Sequence, residues 1–384
     1  MKQTAGIIST YAADVSGVCS ALYELGGMSV IHDASGCNST YNTHDEPRWY
    51  DKDSMIFISG LSEMEAVMGD DEKLIGDITE AAAELHPAFI AIAGTPIPMM
   101  IGTDFPAIAA LVEERTGIPA FGFATNGTHS YISGASLAFE AVAARLVGPA
   151  EKTPELSVNI LGATPLDFSV NGSIRSLRNC LAAGGFSVLS CWAMDSDLAE
   201  IGRAAGAQVN LVVSASGLAA AETLHKRFGT PYVTGLPVAG RRTERLLAAL
   251  KKAAAEQLCL DCLSETAGSS IAGAEIVIIG EGAASVSLAE AIYLETGRPA
   301  RVICPLEEPS RVLRPGDVSA RDEEELLPLL APARFIIADP LYAPICPQTA
   351  RLLPVPHEAF SGRIYRRDIP DFIISITHLL EELK

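Results

Sequence analysis

The sequence predicts an α/β protein built from three Rossmann-like domains with mainly parallel sheets. Apolar, β-branched runs alternate with alanine-rich stretches along the 384 residues, which is the order that βαβ units produce. Loops rich in Gly, Pro, Ser or Thr follow the apolar runs. Two linkers, at 147–157 and 264–274, divide the chain into domains of ordinary size at 1–150, 151–266 and 267–384, the last with a C-terminal helix.

The individual elements follow from residue periodicity. Short apolar runs predict buried parallel strands at 89–94, 120–125, 157–163, 209–215, 275–280, 301–305 and 335–340. Apolar residues that recur at three and four positions predict helices packed on these sheets at 71–85, 105–117, 133–147, 173–185 and 243–258. Because ligands of open parallel sheets bind at the carboxyl ends of strands, functional residues are expected in the loops after the strands.

Composition limits the classes of function. With 48% hydrophobic and 20% charged residues, the chain can bury a large core. The net charge of −19, from 28 basic against 47 acidic residues, supplies no general positive field for a phosphate backbone. Nucleic acid is therefore not expected as the main partner, and an acidic surface favours a basic protein partner.

The N-terminus and the hydropathy pattern predict a cytoplasmic protein without membrane contact. The first twenty residues lack the charged-then-apolar order of a signal peptide, and no apolar run approaches the roughly 20 residues that cross a bilayer. In that compartment the eight cysteines are expected to be thiols or metal ligands rather than disulfides.

The cysteines divide into two groups by context. Cys19 and Cys37 are predicted in loops and suggest a shared ligand, because Cys37 ends the small-residue turn IHDASGC and Cys19 lies upstream in GVCSALYELGG. The others favour thiols in the core or at helix ends, with metal binding left open for Cys259, Cys262 and Cys346; the core thiols are Cys180, Cys191 and Cys304.

Several common catalytic motifs are missing from the sequence. The run from Gly280 to Gly282 enters a helix, but Ser285 stands where a dinucleotide fingerprint has its third glycine. The phosphate loop G-x-x-x-x-G-K-S/T and the hydrolase motifs H-E-x-x-H and G-x-S-x-G do not occur. His32 precedes Cys37 by five residues without a third group to orient it. The chain is therefore not expected to hydrolyse ATP by itself.

Four ordered segments in the first 135 residues carry a specific resemblance. They are IHDASGC, EAVMGDDEKLIGDI, GTPIPMMIGTD and GIPAFGFATNGTHSYISGA, with looser agreement at 227–247 and in FIIADPLYAP. In these segments the chain resembles the nitrogenase component 1 superfamily, which includes nitrogenase, its tetrapyrrole-reducing relatives and cofactor-assembly scaffolds. The resemblance implies three Rossmann-like domains and pairing as a homodimer or with a homologous second subunit.

The resemblance also implies an iron–sulfur cluster at the subunit interface. Its ligands would be Cys19 and Cys37, while the third family cysteine falls on Pro96, which has no donor side chain. Two cysteines from each of two chains match the four ligands of one 4Fe–4S cluster per dimer. For Asp33 three roles stay open: an oxygen ligand, a neighbour of the ligands, or a turn former. The turn, with Gly36, lets the thiolate approach iron, and a ring N–H of His32 would fix it.

In the family, a separate ATP-dependent iron protein passes electrons through this cluster to a cavity between the three domains. Loop residues at strand ends are the candidates for binding a substrate or cofactor there: Asn126, Thr128, His129, Ser214, Ser216, Glu281 and His357. The leading hypothesis is an oxidoreductase acting on a tetrapyrrole or another small unsaturated or thioether compound. One alternative is a non-catalytic scaffold for metallocofactor assembly, although the second domain offers no clear cofactor-anchoring cysteine. The other is a cluster-free paralogue, which follows from Pro96 at the position of the third family cysteine.

Overall fold

The computed structural model describes residues 12–34, 46–261, 271–307 and 312–384. Within these ranges the strands form three parallel sheets, each built from its own stretch of chain, and we call these stretches the first, second and third units. Strand pairing is parallel throughout the described sheets, and helices connect the strands, which confirms the predicted α/β fold class. The domain boundaries at 150 and 266 stay predictions.

The first unit holds a four-stranded sheet. Its strands are β1 (Met28–His32), β2 (Met55–Ile58), β3 (Ile90–Gly94) and β4 (Ala120–Phe123), and its helices are α1 (Asp14–Leu22), α2 (Glu63–Met68), α3 (Asp71–Leu85), α4 (Pro96–Ile101), α5 (Phe105–Thr116) and α6 (Tyr131–Arg145). The strand order is β2-β1-β3-β4. β1 and β3 pair from Met28 opposite Ile90 to His32 opposite Gly94, so their carboxyl ends share one edge.

The second unit holds a five-stranded sheet in the order β6-β5-β7-β8-β9. Its strands are β5 (Ser157–Leu161), β6 (Ser187–Cys191), β7 (Val209–Val212), β8 (Tyr232–Thr234) and β9 (Leu260–Asp261), and its helices are α7 (Pro165–Phe168), α8 (Ser173–Ala183), α9 (Leu198–Gly202), α10 (Leu218–Phe228) and α11 (Arg241–Glu256). The strand order reverses between β5 and β7, which is where such sheets bind ligands.

The third unit holds another five-stranded sheet, in the order β12-β11-β10-β13-β14. Its strands are β10 (Ile276–Ile279), β11 (Ala300–Cys304), β12 (Val318–Ser319), β13 (Phe335–Ala338) and β14 (Arg351–Pro354), and its helices are α12 (Gly282–Thr296), α13 (Glu323–Leu330), α14 (Glu358–Tyr365) and α15 (Thr377–Glu382). Within the ranges that the structure covers, no helix is both long enough and apolar enough to span a membrane.

One hydrophobic core extends through all three units. At the contact of the first two units, the ring centroids of Phe139 and Trp192 lie 6.1 Å apart. Helices α1 and α6 approach so closely that a Cβ added to Gly17 would lie 2.0 Å from the carbonyl oxygen of Tyr131. A Cβ on Gly134 would lie 1.8 Å from the carbonyl oxygen of Asp14. Both positions therefore require glycine.

The structure corrects the predicted surroundings of Cys19. The sequence places this residue in a loop, but it lies inside α1, all nine residues of which are buried. Gly and Ser make this segment a weak helix former by propensity, and packing against α6 overrides that preference. The prediction missed α1 because a helix that is buried all round shows no amphipathic periodicity.

Candidate functional site

A cavity of about 130 Å³ lies between the second and third units, at the carboxyl ends of their strands. Residues that follow β7, β8, β10, β13 and β14 line it together with α7, and most of the lining is apolar. Among the predicted candidates, Glu281 and His357 face this cavity. The sequence did not single out Asp167 or Asp339, which also line it. A shared position at the strand ends of two parallel sheets is the usual placement of a ligand site.

Glu281 connects the two units that enclose the cavity. It follows β10 and caps α12, where its Oε2 accepts a hydrogen bond from the backbone N–H of Ala284 at 2.7 Å. Its Oε1 accepts one from the backbone N–H of Ala215, in the second unit, at 2.8 Å. Burial raises the pKa of Glu281 to about 7, and the nearby carboxylate of Asp167 adds to this shift. A carboxyl group of this kind can gain or release a proton near neutral pH.

His357 faces Asp167 across the cavity wall. Its Nδ1 accepts a hydrogen bond from the backbone N–H of Ala359 at 3.3 Å, and its Nε2 lies 3.5 Å from Asp167 Oδ1. Tyr131 donates its hydroxyl hydrogen to the same Asp167 oxygen. The first unit thus reaches the site through Tyr131, although the cavity itself is lined by the second and third units.

Asp339 organises the two loops of the third unit that carry the site. Its Oδ1 accepts from the backbone N–H of Leu341 at 2.9 Å. Its Oδ2 accepts from the backbone N–H of His357 at 2.9 Å and from Ser361 Oγ at 2.5 Å. Asp339 directly follows β13 and lies near the end of the predicted strand 335–340, so the rule that places ligands at strand ends could have found it.

Ser214 and Ser216 lie next to the site but are not part of the cavity lining. Both are fully buried, and the hydroxyl of Ser216 donates to that of Ser214 at 3.1 Å. They flank Ala215, whose backbone N–H is bonded to Glu281. Their position shapes the turn that presents this N–H.

The loop after β4, which carries Asn126, Thr128 and His129, is directed elsewhere. The carboxylate of Asp14 accepts from the backbone N–H groups of Asn126 and Gly127, at 3.0 and 2.8 Å. Asn126 Oδ1 accepts from the backbone N–H of Thr128 at 2.8 Å, and His129 Nδ1 lies 3.0 Å from Glu307 Oε1. None of the three predicted residues lines the cavity.

Of the predicted cluster turn, the structure describes His32 and Asp33, which lie at the carboxyl end of β1. His32 Nδ1 is 2.9 Å from Ser59 Oγ, and burial lowers the pKa of the imidazole. The backbone N–H of Asp33 donates to the same hydroxyl at 3.2 Å. Thr95 Oγ1 donates to the carbonyl oxygen of His32 at 3.0 Å, so Pro96, the next residue, starts α4 beside β1.

The described residues do not by themselves make a cluster site. Cys19 is 6% exposed, and burial together with the carboxylate of Glu46 raises the pKa of its thiol to about 12, which disfavours the thiolate that binds iron. Cys37 and Gly36 lie outside the described residues. In the ranges that are described, no three His, Cys, Asp or Glu side chains are arranged to hold a metal ion.

Cys191 and Cys304 are buried as predicted, whereas Cys180, predicted as a core thiol, is only half-buried. Cys180 lies in α8, Cys191 in β6 and Cys304 in β11. Cys346 follows a 3-10 helix at Pro340–Ile345, and Cys259 is exposed between α11 and β9. Cys262, its partner in the C-x-x-C motif, falls on a segment that is not described.

Comparison with known families decides the assignment. The model of the family described as nitrogenase component 1 type oxidoreductase matches residues 15–297. The chain belongs to this family. A nitrogenase iron-molybdenum cofactor biosynthesis protein NifE from Clostridium pasteurianum is 31% identical over 180 residues, which cover 46% of this chain and 38% of that protein.

Other members of the family show the same pattern. The nitrogenase molybdenum-iron protein alpha chain of Clostridium pasteurianum is 27% identical over 182 residues, 46% of this chain and 33% of that one. The matched part thus spans well under half the length of these curated relatives. A solved structure of nitrogenase Cp1 at pH 6.5 superimposes with a TM-score of 0.70 at 14% identity, covering 100% of this chain and 93% of that one, which confirms the fold.

Proposed function

We propose that this chain is the substrate-binding subunit of a nitrogenase-like reductase and binds a small substrate in the cavity between the second and third units. The observation that carries this proposal is the convergence of Glu281, Asp167 and His357 on one mostly apolar cavity. Membership of the nitrogenase component 1 type family supports a reductive role.

The chemistry of the cavity suits a reduction that consumes protons. Reductions by low-potential electrons take up protons at the substrate, and those protons need donors inside a cavity that excludes water. Glu281, with its pKa raised to about 7, is poised to hold and give up such a proton. With Nδ1 accepting from the backbone N–H of Ala359, His357 presents its Nε2 to Asp167 at 3.5 Å.

Electrons would arrive from an ATP-dependent iron protein, since the sequence holds no phosphate loop of its own. A cluster held by Cys19 and Cys37 of two copies, with Asp33 beside these ligands, would relay them between the iron protein and the cavity. For Cys19 this requires that iron offset the burial and the nearby Glu46 charge that now keep the thiol protonated. The homodimer is part of this proposal, because one chain supplies only two of four thiolates.

A scaffold for cofactor assembly is the second candidate. It is supported by the names of the similar proteins from Clostridium pasteurianum and Klebsiella pneumoniae, both nitrogenase iron-molybdenum cofactor biosynthesis proteins NifE. Against it, the described lining of the cavity includes no cysteine that could anchor an iron-containing cofactor. Protein that transfers iron to an acceptor without consuming substrate would favour the scaffold.

The first experiment measures iron and acid-labile sulfide in protein purified without oxygen, with EPR spectra of the reduced form. We expect about four irons per dimer and loss of the signal in Cys37→Ala and Cys19→Ala. Cys346→Ala is the matched control, because this half-buried thiol lies in the third unit, and it should keep the iron. Correctly folded protein that contains no iron would contradict the proposed cluster and favour the alternative of a cluster-free paralogue.

The second experiment tests turnover. The iron-loaded protein is mixed with an iron protein, MgATP and acetylene as a small unsaturated probe, and ethylene is measured. Reductase function predicts product that depends on MgATP and falls at least about tenfold in Glu281→Gln, since removing a general acid typically costs 10² or more. An unchanged rate of ethylene formation in Glu281→Gln would contradict the role of the cavity.

A further inference from the structure

Ser285 is a polar residue of the cavity that the proposed proton transfer leaves unused. In the sequence it stands where a dinucleotide fingerprint has its third glycine. In the structure it lies near the start of α12 and lines the cavity between the second and third units. Its backbone N–H donates to the carbonyl oxygen of Glu281 at 2.9 Å, so both residues belong to the same helical turn at the cavity wall.

The hydroxyl of Ser285 is buried without a hydrogen-bond partner in the described part of the chain. The residue is 6% exposed, and no described group donates to its Oγ or accepts from it. Its Oγ lies against Gly280, which also lines the cavity, so that a Cβ added to this glycine would be 2.8 Å away. By contrast, Ser173 of the same lining donates to Asn171 Oδ1 at 2.5 Å. Because buried hydroxyls normally have partners, Ser285 points to a group that a ligand brings.

The charged groups of the wall are already engaged by the protein. Asp339 and Asp371 accept hydrogen bonds on both carboxylate oxygens. Asp167 accepts from two hydroxyls, and Glu281 from two backbone N–H groups. Nδ1 of His357 accepts from a backbone N–H, and its Nε2 lies beside Asp167.

These contacts disfavour a charged ligand of either sign. An anion would meet neither lysine nor arginine in the described lining, and the carboxylates that a cation needs are bonded to protein groups. Glu281 also occupies the N-terminus of α12, where an anion would otherwise bind. Because a charge that enters an apolar cavity without a free partner loses its hydration, the ligand that this cavity favours is neutral.

The volume and the walls of the cavity set the size of that ligand. The volume is about 130 Å³, and most of the wall is aliphatic or aromatic, including Phe168, Leu288 and Phe360. An apolar protein cavity of about 150 Å³ takes up benzene, so this cavity suits a molecule of one six-membered ring. It is smaller than the roughly 300 Å³ at which pockets of drug-sized ligands begin, so a tetrapyrrole does not fit this conformation.

We propose that this cavity binds a neutral molecule the size of one six-membered ring, and that the Ser285 hydroxyl donates to a carbonyl or similar acceptor on it. The inference rests on the proposed function and names the class of its substrate together with a residue that selects it. Ser285 and Glu281 share one turn of α12, so an acceptor held by the hydroxyl lies beside the carboxyl group that is proposed to protonate it. Ser285 is thus a specificity-determining residue for the proposed reduction.

The test is isothermal titration of the full chain with cyclohexanone, benzene, cyclohexylammonium and cyclohexanecarboxylate, which share one ring and differ in charge and in the acceptor. We expect cyclohexanone to bind about two- to tenfold more tightly than benzene, the range that one neutral hydrogen bond supplies. Both charged probes should bind more weakly than cyclohexanone.

Variants assign the preference to one hydroxyl. Ser285→Ala should lower the affinity for cyclohexanone to that for benzene, and it should leave the thermal midpoint unchanged because the hydroxyl bonds no described group. Ser173→Ala is the matched control, the same change on a lining serine whose hydroxyl is bonded to Asn171, and it should keep the preference. Ala284→Leu enlarges a lining side chain and should weaken binding of both neutral probes.

Several outcomes would overturn the inference. These are equal binding of benzene and cyclohexanone, tighter binding of either charged probe, a preference that survives Ser285→Ala, and binding that Ala284→Leu leaves unchanged. Circular dichroism shows whether each variant is folded, and Ser285→Thr, which keeps the hydroxyl, should retain the preference. MgATP-dependent ethylene formation is measured separately, so turnover without binding of cyclohexanone refutes this inference alone, and binding without turnover refutes the proposed function alone.

Discussion

Replacing Arg48 should remove the arginine partner of buried Glu46, leave Glu24 with Lys52 alone, and loosen the contact between the first and second units. Its guanidinium is 2% exposed and lies 2.6 Å from Glu46 Oε1 and 2.9 Å from Glu24 Oε1. It also donates to the carbonyl oxygen of Ala193, in the second unit, at 2.6 Å. Breaking a buried ion pair by removing one partner costs about 3–5 kcal/mol, and we expect Arg48→Met to lose that much free energy of unfolding.

The pH dependence of the loss follows from Glu24. Burial alone would raise the pKa of Glu24, but Arg48 and Lys52 outweigh it and hold the pKa below its usual value of 4.5. A carboxyl group with a lowered pKa in the folded state stabilises it above the unfolded pKa, and that contribution is lost as the pH falls through the folded pKa. The difference between wild type and Arg48→Met should therefore be largest near neutral pH and shrink in acid.

Urea titration followed by circular dichroism, at neutral pH and in acid, measures this difference. Arg115→Met is the matched control, because Arg115 forms an exposed ion pair with Glu72 at 2.9 Å and should contribute at most about 1 kcal/mol. The triple variant Arg48→Met with Glu24→Gln and Glu46→Gln should recover part of the stability. A loss in Arg48→Met no larger than that of the control would refute the reasoning.

Three further predictions concern other buried groups. Since the pKa of Glu281 is raised from 4.5 to about 7, the free energy of unfolding should fall by roughly 3 kcal/mol as the pH rises from 4.5 to 7. In urea titrations at each pH, Glu281→Gln should flatten this slope. Iodoacetamide at neutral pH should label exposed Cys259 in the cluster-free protein and spare Cys19 until the chain unfolds, as peptide mass spectrometry would show. Gly134→Ala should lower the thermal midpoint through a loss of about 1–3 kcal/mol, because its Cβ would meet the Asp14 carbonyl; an unchanged midpoint would contradict this close packing.

The sequence predicts strongly periodic elements well. Helix α3 has the predicted bounds of 71–85, and the predicted strand at 157–163 begins where β5 begins. Short edge strands such as β9 and β12 have two residues each, too few to show a period. Helix α1 is set by tertiary packing instead of by its own pattern, which is why Cys19 was expected in a loop.

Part of the candidate site could be predicted from strand ends alone. Glu281 and His357 line the cavity because each follows a strand of the third sheet. His129 follows a strand too, but Glu307 lies beside its ring and Asp14 holds the same loop, so its position depends on residues distant in sequence. Asp167 was missed because α7 has four residues and shows no pattern from which to place it.

Helices α1 and α6 connect Cys19, a predicted cluster ligand, with the cavity. Cys19 lies in α1, and Tyr131, the first residue of α6, reaches Asp167 in the site. Gly17 and Gly134 bring the two helices into backbone contact, and a close-packed interface of this kind transmits displacement instead of absorbing it. If the proposed cluster forms at Cys19, a displacement of α1 would therefore reach Tyr131, whose hydroxyl bonds Asp167.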